Sequence, residues 1–337
     1  MESIDLLVLR TTRDWLKAGE RVLLATVART WGSSPRPVGS MMALRGDGRV
    51  IGSVSGGCIE DDLVHRYTSA YNGEGMPEGP PRVVRYGVSA DEAHRFGLPC
   101  GGTLELILEF SPSLPSLEQL LPLLDAGNLV RRELDLGTGG VSLAVTHALE
   151  QFSFDGQRMV NTLGPGYRML LIGAGVLAEY LATMALFNGF KVAVCDPRRE
   201  YMDGWNVTGV EKIVGMPDDV VRAFAPDLRS CIIGLSHDPK LDDLALLEAL
   251  HSTAFYIGVI GSRRNSQLRR ERLIEHFGET QASLERLHGP IGIYIGSKTP
   301  AEIAVSVMAE VLAIKNGVAL PGAANVTKAK RAREASA

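Results

Sequence analysis

Cysteine is scarce in this chain, and long apolar runs are missing. Cys58, Cys100, Cys195 and Cys231 are its four cysteines in 337 residues, and no two stand in a Cys-x2-Cys pair. That spacing excludes zinc ribbons and the common iron–sulfur signatures. Cysteines this sparse predict free thiols rather than a disulfide framework. No apolar stretch reaches the roughly 18 residues of a membrane span. Residues 1–10 lack the basic start and apolar stretch of a secretory signal. The formal net charge is −4, so no broad basic field invites nucleic acid. The expectation is a cytoplasmic protein that binds neither membrane nor nucleic acid. A basic run, Lys328, Lys330, Arg331 and Arg333, falls in residues 318–337, which read as a solvated, flexible tail.

What is present points to packed α/β structure. Hydrophobic residues make up 45% and charged residues 22%, a globular balance, and the length suits two domains. Ile4, Leu7, Val8 and Trp15 share a face, which predicts a helix over 3–18. The run 21–28 reads as a buried strand, and 40–45 with 49–54 as a hairpin around Gly46-Asp47-Gly48. A helix over 59–67 would place Cys58 at its start. Strands over 82–86 and 103–110 flank the loop 97–102. Residues 111–130 begin with a Pro/Ser-rich junction and continue as a short helix containing Pro122, with Gly127 near its end, and 126–166 make up a β-rich connecting segment between the domains.

From Arg168 the pattern changes to alternating strands and helices. After the first strand come strand candidates at 211–214, 230–235, 255–260 and 291–295. Helix candidates fall at 178–188, 217–225, 241–251, 263–277 and 300–315. This alternation predicts a Rossmann-type doubly wound parallel sheet over 167–317, following a mixed α/β N-terminal domain over 1–125.

Four constellations carry chemistry. Gly173-Ala174-Gly175-Val176-Leu177-Ala178 follows a strand and opens a helix, and the next strand ends at Asp196. Gly173 would permit a tight turn and Gly175 a close approach of backbone to a pyrophosphate. Ala178 would allow close helix packing, and Asp196 could accept a ribose diol. Gly56-Gly57-Cys58-Ile59-Glu60 and Leu98-Pro99-Cys100-Gly101-Gly102 each set a cysteine beside paired glycines. A thiol at a helix start has its thiolate stabilised by the backbone N–H groups. The other reading is two small buried hydrophobes beside packing glycines. A metal held by Cys58, Asp62 and His65 on one helical face is a third.

The loop Trp31 to Ser40 offers Ser33, Ser34 and Arg36 to an anion, or is merely a rigid proline loop. In the second half, His237-Asp238, Gly261-Ser262-Arg263-Arg264 and Gly296-Ser297-Lys298-Thr299-Pro300 follow strands at the rim where such sheets place ligands.

Together these phrases resemble the XdhC/CoxI family. The resemblance runs from about Leu16 to Gly317 through GSSPRPVGSMMA, GSVSGGCIEDDL, LPCGGTLEL, LLIGAGVLAEYLA, VCDPR, LSHDPKLDDLALLEAL, YIGVIGSRRN and IGSKTPAEIAVSVMAE. It implies an accessory chaperone that binds molybdenum cofactor, protects it while a cysteine desulfurase installs its sulfur, and inserts it into an apo molybdenum hydroxylase of the xanthine dehydrogenase type. Cys58 and Cys100, with Gly56, Gly57, Gly101 and Gly102, would contact the cofactor, and Cys58 is the candidate contact to its molybdenum centre. Ser33, Ser34 and Arg36 would hold its polar edges. Gly173, Gly175 and Arg263, with Asp196, His237, Gly261 and Ser262 on the same rim, would hold phosphate or an attached nucleotide. A homodimer is one way to shield such a ligand. Val176 stands where many members have histidine, so that residue's role does not carry over. No catalytic residues are implied.

Two rivals stand beside this reading. An NAD(P)-dependent oxidoreductase would use Asp196, which favours NAD, although Arg198 and Arg199 blur the choice. Tyr256 and Lys298 do not have the spacing of a Tyr-x3-Lys hydride-transfer pair. A thiol redox sensor would use Cys58 and Cys100.

Overall fold

The computed structural model describes residues 4–31, 36–69, 73, 75–87, 103–148, 150–236, 238–324 and 326–329. The chain divides into two compact units, Glu2–Pro165 and Gly166–Ala337.

The first unit opens with helix α1 (Ile4–Lys17), followed by strands β1 (Val22–Trp31), β2 (Met41–Arg45) and β3 (Val50–Gly52). Helix α2 (Cys58–Tyr67), strands β4 (Arg82–Tyr86) and β5 (Thr103–Phe110) and helix α3 (Leu114–Asp125) come next. The five strands form one sheet in the order β3-β2-β1-β5-β4, antiparallel throughout. Alternation along β1 explains its layering. Leu23, Ala25 and Val27 turn to one face and pack with Ile59 and Leu63 of α2. Val22 and Leu24 turn to the other, against Leu6, Val8 and Leu9 of α1 and Leu117, Leu120 and Leu121 of α3. Ser113 caps α3 by accepting the Ser116 N–H.

Residues 126–165 cluster with the residues before them. Strands β6 (Leu129–Asp135), β7 (Val141–Thr146), β8 (Ser153–Phe154) and β9 (Arg158–Leu163) make a second antiparallel sheet, ordered β7-β6-β9-β8. Ile107 of β5 meets Leu134 and Met159 of this sheet. Two buried glutamates flank Ile107 on β5, Glu105 and Glu109. Glu109 pairs with the equally buried Arg132 of β6 at 2.6 Å, and Glu105 with Arg85 and Arg29.

The second unit is the parallel sheet that the sequence predicts. Strands β10 (Arg168–Ile172), β11 (Lys191–Cys195), β12 (Val210–Ile213), β13 (Ser230–Gly234), β14 (Tyr256–Val259) and β15 (Leu287–His288) lie in the order β12-β11-β10-β13-β14-β15, all parallel. This is the Rossmann order, whose direction reverses between β10 and β13. Helices α4 (Val176–Phe187), α5 (Arg199–Asp203), α6 (Pro217–Phe224), α7 (Pro239–Leu250), α8 (Arg263–Phe277) and α9 (Pro300–Lys315) flank it. Met169 and Leu171 face α4 and α9, while Leu170 and Ile172 face α6, α7 and α8. Both faces are covered, which is why the strands read as continuous apolar runs.

One strand expectation is corrected. Residues 291–295 form no strand, and the sixth strand is Leu287–His288. Pro290 has no N–H to give to a ladder. Gly292 takes φ 94°, where an added Cβ would strike Ser306 of α9 at 2.3 Å. The segment leans on that helix instead, with Ile293 N–H donating to the Ser306 carbonyl.

Candidate functional site

In the first unit the cysteine–glycine loop between β3 and α2 is organised by a residue to which the sequence motifs assign no role. The Glu60 carboxylate lies inside the loop. Its Oε1 accepts the Ser53 hydroxyl at 2.7 Å and the N–H groups of Val54, Ser55 and Gly56 at 2.8–2.9 Å. Its Oε2 accepts the Gly57 N–H at 2.9 Å and the Ser55 hydroxyl. Successive N–H groups turned inward form a nest, a natural anion cradle, and here the anion is supplied by the chain. Burial raises the Glu60 pKa, but these hydrogen bonds outweigh it and bring the carboxyl down to about 2. The signal in the sequence is Glu60 three residues after the helix cap Gly57, the capping-box spacing.

This scaffold presents Cys58 as the first residue of α2. Cys58 is the exposed cysteine among the described residues, whereas Cys195 and Cys231 are buried. Burial pushes the Cys195 thiol up to about 12, with the Asp196 and Asp218 charges adding to it, and drives Cys231 well up too. Such thiols stay protonated and unreactive at neutral pH. A Cβ added at Gly56, which has φ 96°, or at Gly57 would meet nothing within 4 Å among the described residues, which leave the space beside Cys58 open.

Arg36 joins the same cluster, its Nε donating to Ser53 Oγ at 3.1 Å. The structure thus brings Gly56, Gly57, Cys58 and Arg36 together through Ser53 and Glu60. Ser33, Ser34, Cys100, Gly101 and Gly102 lie outside the described residues. The metal reading loses a ligand, because Asp62 accepts the Tyr86 hydroxyl at 2.9 Å and pairs with Arg66 at 2.8 Å. Among the described residues no group of three His, Cys, Asp or Glu is placed to hold a metal.

In the second unit the glycine turn has dinucleotide-fold geometry. Gly173 takes φ 103°, and a Cβ there would lie 2.7 Å from the Ser236 backbone. Gly175 caps α4 without a side chain, and among the described residues nothing lies within 4 Å of where its Cβ would be. Ala178 is fully buried against the sheet. Asp196 is placed otherwise than a ribose acceptor needs. It is fully buried, accepts the Ala174 N–H at 2.9 Å, and takes the Arg198 guanidinium as a fork at 2.8 and 2.9 Å and the Arg198 N–H at 3.0 Å. Burial raises its pKa, and these partners more than reverse that. Arg198 in turn lies over the Tyr201 ring, 3.8 Å from its centroid. A ribose would have to displace this fork.

The other rim loops differ in what fills them. Asp238 caps α7 by accepting the Lys240 N–H, and His237 lies outside the described residues. Behind that loop, Ser236 donates its hydroxyl to buried Asp242 at 2.7 Å, and Arg269 of α8 reaches both Asp242 and Asp243. Burial pushes the Asp242 carboxyl up despite the Ser236 hydrogen bonds and the Arg269 charge. At the start of α9, Glu302 accepts the Lys298 and Thr299 N–H groups, so this terminus too holds its own carboxylate. At the start of α8, Gly261, Ser262, Arg263 and Arg264 line a cavity of about 440 Å³ with Pro290 and Val326.

Two family models match the chain. The model of the XdhC and CoxI family matches residues 15–87, and that of the XdhC Rossmann domain matches residues 169–311. The chain belongs to the XdhC and CoxI family. Cys58 with its loop and the Gly173 turn both fall inside the matched ranges. Among relatives of this family member is a protein of Escherichia coli strain K12 named molybdenum cofactor insertion chaperone PaoD. The two are 26% identical over 308 residues, which cover 91% of this chain and 88% of PaoD. A protein of Bacillus subtilis strain 168 described as a probable xanthine dehydrogenase subunit is also 26% identical, over 90% of this chain and 96% of its own. A solved structure described as a xanthine dehydrogenase from Bacillus halodurans superposes with a TM-score of 0.71 at 26% identity, covering 94% of this chain and 96% of that one. No helix among the described residues is long and apolar enough to cross a membrane.

Proposed function

We propose that this protein is an accessory factor that binds molybdenum cofactor on the cysteine–glycine loop of its first unit. It shields the cofactor while a cysteine desulfurase supplies sulfur, and passes it to an apo molybdenum hydroxylase. The observation that carries this reading is Cys58: an exposed thiol at a helix start, on a loop hydrogen-bonded to Glu60, with open space beside it among the described residues. Sulfur is a soft donor suited to soft metal centres, and Arg36, bonded to Ser53 of the same loop, carries the kind of guanidinium that suits an acceptor edge of the pterin. The names of the relatives support the same reading. The engagement of Asp196 with Arg198 weighs against the dinucleotide oxidoreductase alternative.

The test is pterin content. The full chain is expressed in a host that makes molybdenum cofactor, purified without oxygen and oxidised, and the fluorescent pterin is quantified. Bound pterin is expected in the wild type. It should fall in Cys58→Ala and Cys100→Ala with the unfolding midpoint of Cys58→Ala unchanged. No pterin in the wild type, under conditions where an established carrier retains it, would overturn the proposal.

A further inference from the structure

The second unit has a cavity at a helix start that is separate from its glycine fingerprint. The cavity at the start of α8 is lined by Gly261, Ser262, Arg263, Arg264 and Pro290. Helix α8 runs 15 residues, and its first turn has no acidic side chain. Each of α4, α5, α6, α7 and α9 has one there. Arg264 is exposed and forms no ion pair among the described residues. The Ser262 hydroxyl accepts only the Asn265 N–H in this turn, at 3.0 Å.

A second, independent feature points to a ligand. Ser266, one turn into α8, is 6% exposed, and its hydroxyl has no hydrogen-bond partner among the described residues. Its Oγ lies 3.7 Å from where a Cβ of Gly261 would stand, and 3.4 Å from where one of Gly289 would stand. Arg269 Nη1 lies 3.9 Å from the same Gly261 position. The missing side chain at Gly261 thus leaves the donor hydroxyl of Ser266 just behind the cavity wall, beside an Arg269 guanidinium held by Asp242, Asp243 and the Ile260 carbonyl. A buried hydroxyl without a partner is costly, and an anionic oxygen placed against Gly261 would satisfy it. Helix N-terminal N–H groups add the matching dipole.

We infer that the start of α8 is a phosphate-binding site, with Gly261 as its floor, Ser266 as an inner donor, and Arg263 and Arg264 as its cationic rim. Its ligand is the phosphate or diphosphate group of a small phosphorylated molecule. The assignment goes beyond the pterin reading, because it concerns the second unit and holds whatever the Cys58 loop carries.

Gly261→Ala is the decisive variant. Its backbone lies outside the left-handed region, and an added Cβ meets neighbours only at 3.6–3.9 Å. The protein should therefore fold normally with its cradle filled. Inorganic pyrophosphate and phosphate are titrated into the full chain by calorimetry at constant ionic strength, with sulfate as a control for charge alone. Wild type is expected to bind pyrophosphate. Gly261→Ala and Arg264→Glu should each weaken it by about tenfold or more. Ser266→Ala should weaken it too, without lowering the unfolding midpoint of the free protein. The inference is overturned if wild type binds no pyrophosphate at millimolar concentration, if sulfate binds as well as pyrophosphate, or if Gly261→Ala binds undiminished. It also fails if Gly175→Ala weakens binding as much as Gly261→Ala. Loss of pterin with pyrophosphate binding intact would sink only the proposed function, and the reverse result only this site.

Discussion

Replacing Glu60 with glutamine should remove a pH-dependent share of the first unit's stability. In the folded chain the Glu60 carboxyl titrates at about 2, against 4.5 for the ordinary group. At about 1.4 kcal/mol per pH unit, that difference has a ceiling of about 3 kcal/mol in favour of the folded state at neutral pH. Water reaches part of this carboxylate and screens it, which brings the expectation down to about 2 kcal/mol. The sign follows from the lowered pKa. The contribution is complete above pH 4.5, where both folded and unfolded chains are ionised. It fades as the pH falls, because the unfolded chain takes up the proton first, and it is gone near pH 2.

The glutamine side chain would keep one carbonyl acceptor for the amides of Val54, Ser55 and Gly56, but its NH2 would face the Gly57 N–H, donor against donor. Urea denaturation of wild type and Glu60→Gln from pH 7 to pH 2.5 is the assay. The gap between them should shrink from about 2 kcal/mol to a fraction of that. Amide exchange at residues 54–57 should speed up in the variant at neutral pH. A gap that stays constant over the whole range would refute the reasoning, since only a charged carboxylate makes it close.

Arg132→Met leaves the Glu109 carboxylate buried without its partner, so a loss of about 3–5 kcal/mol is expected in urea denaturation. Adding Glu109→Leu should restore most of it, and no recovery would count against the buried pair. Gly173→Ala forces a Cβ to within 2.7 Å of the Ser236 backbone at φ 103° and should cost at least about 2 kcal/mol. Gly175→Ala, in open space, should cost less than about 1 kcal/mol, and the opposite order would contradict the turn geometry. Burial raises the Glu310 carboxyl, but His288, the Tyr256 hydroxyl and the Gly292 N–H hold it below the usual range. Its stabilisation is therefore present above the ordinary carboxylate pKa and lost as the pH falls through the lowered one. Glu310→Gln should flatten the acid side of the melting-temperature profile, and an unchanged acid side would refute this.

Much of the fold is legible in the sequence because its signals are local. The 3.6-residue and two-residue periods set α1 and β1, and glycine followed by a helix sets the Gly173 turn. The helices over 263–277 and 300–315 have the ends that the sequence predicts, since Ser262 and Thr299 cap them from within the sequence. The segment 291–295 resembles a strand because its apolar residues answer to α9, a contact between segments with no local sign. The ribose reading of Asp196 meets a similar limit. An acid at the end of the second strand is a local cue, but its capture by Arg198 depends on how the chain turns afterwards. Glu60 stands in its motif without an evident role, because a carboxylate that curls into its own loop resembles a solvated first-turn acid until the N–H groups around it are seen.

Those differences matter for what each helix start can receive. A nest already filled by Glu60 carries the negative charge that a phosphate would bring, so the loop before α2 should repel anions and leave Cys58 to a soft or neutral group. The start of α9 is closed in the same way by Glu302. Among the described residues the start of α8 has no such carboxylate, and the Ser266 hydroxyl behind Gly261 has no hydrogen-bond partner. The two helix starts should then accept different kinds of group, and the difference can be measured at Cys58 itself. Alkylation of this exposed thiol by iodoacetamide, followed by mass spectrometry, should proceed at the same rate with and without saturating pyrophosphate. Glu60→Gln removes the internal anion, so in that variant pyrophosphate should slow the reaction. Protection of Cys58 by pyrophosphate in the wild type would mean that the loop accepts anions despite Glu60, and that its carboxylate is a removable plug rather than a fixed part of the scaffold.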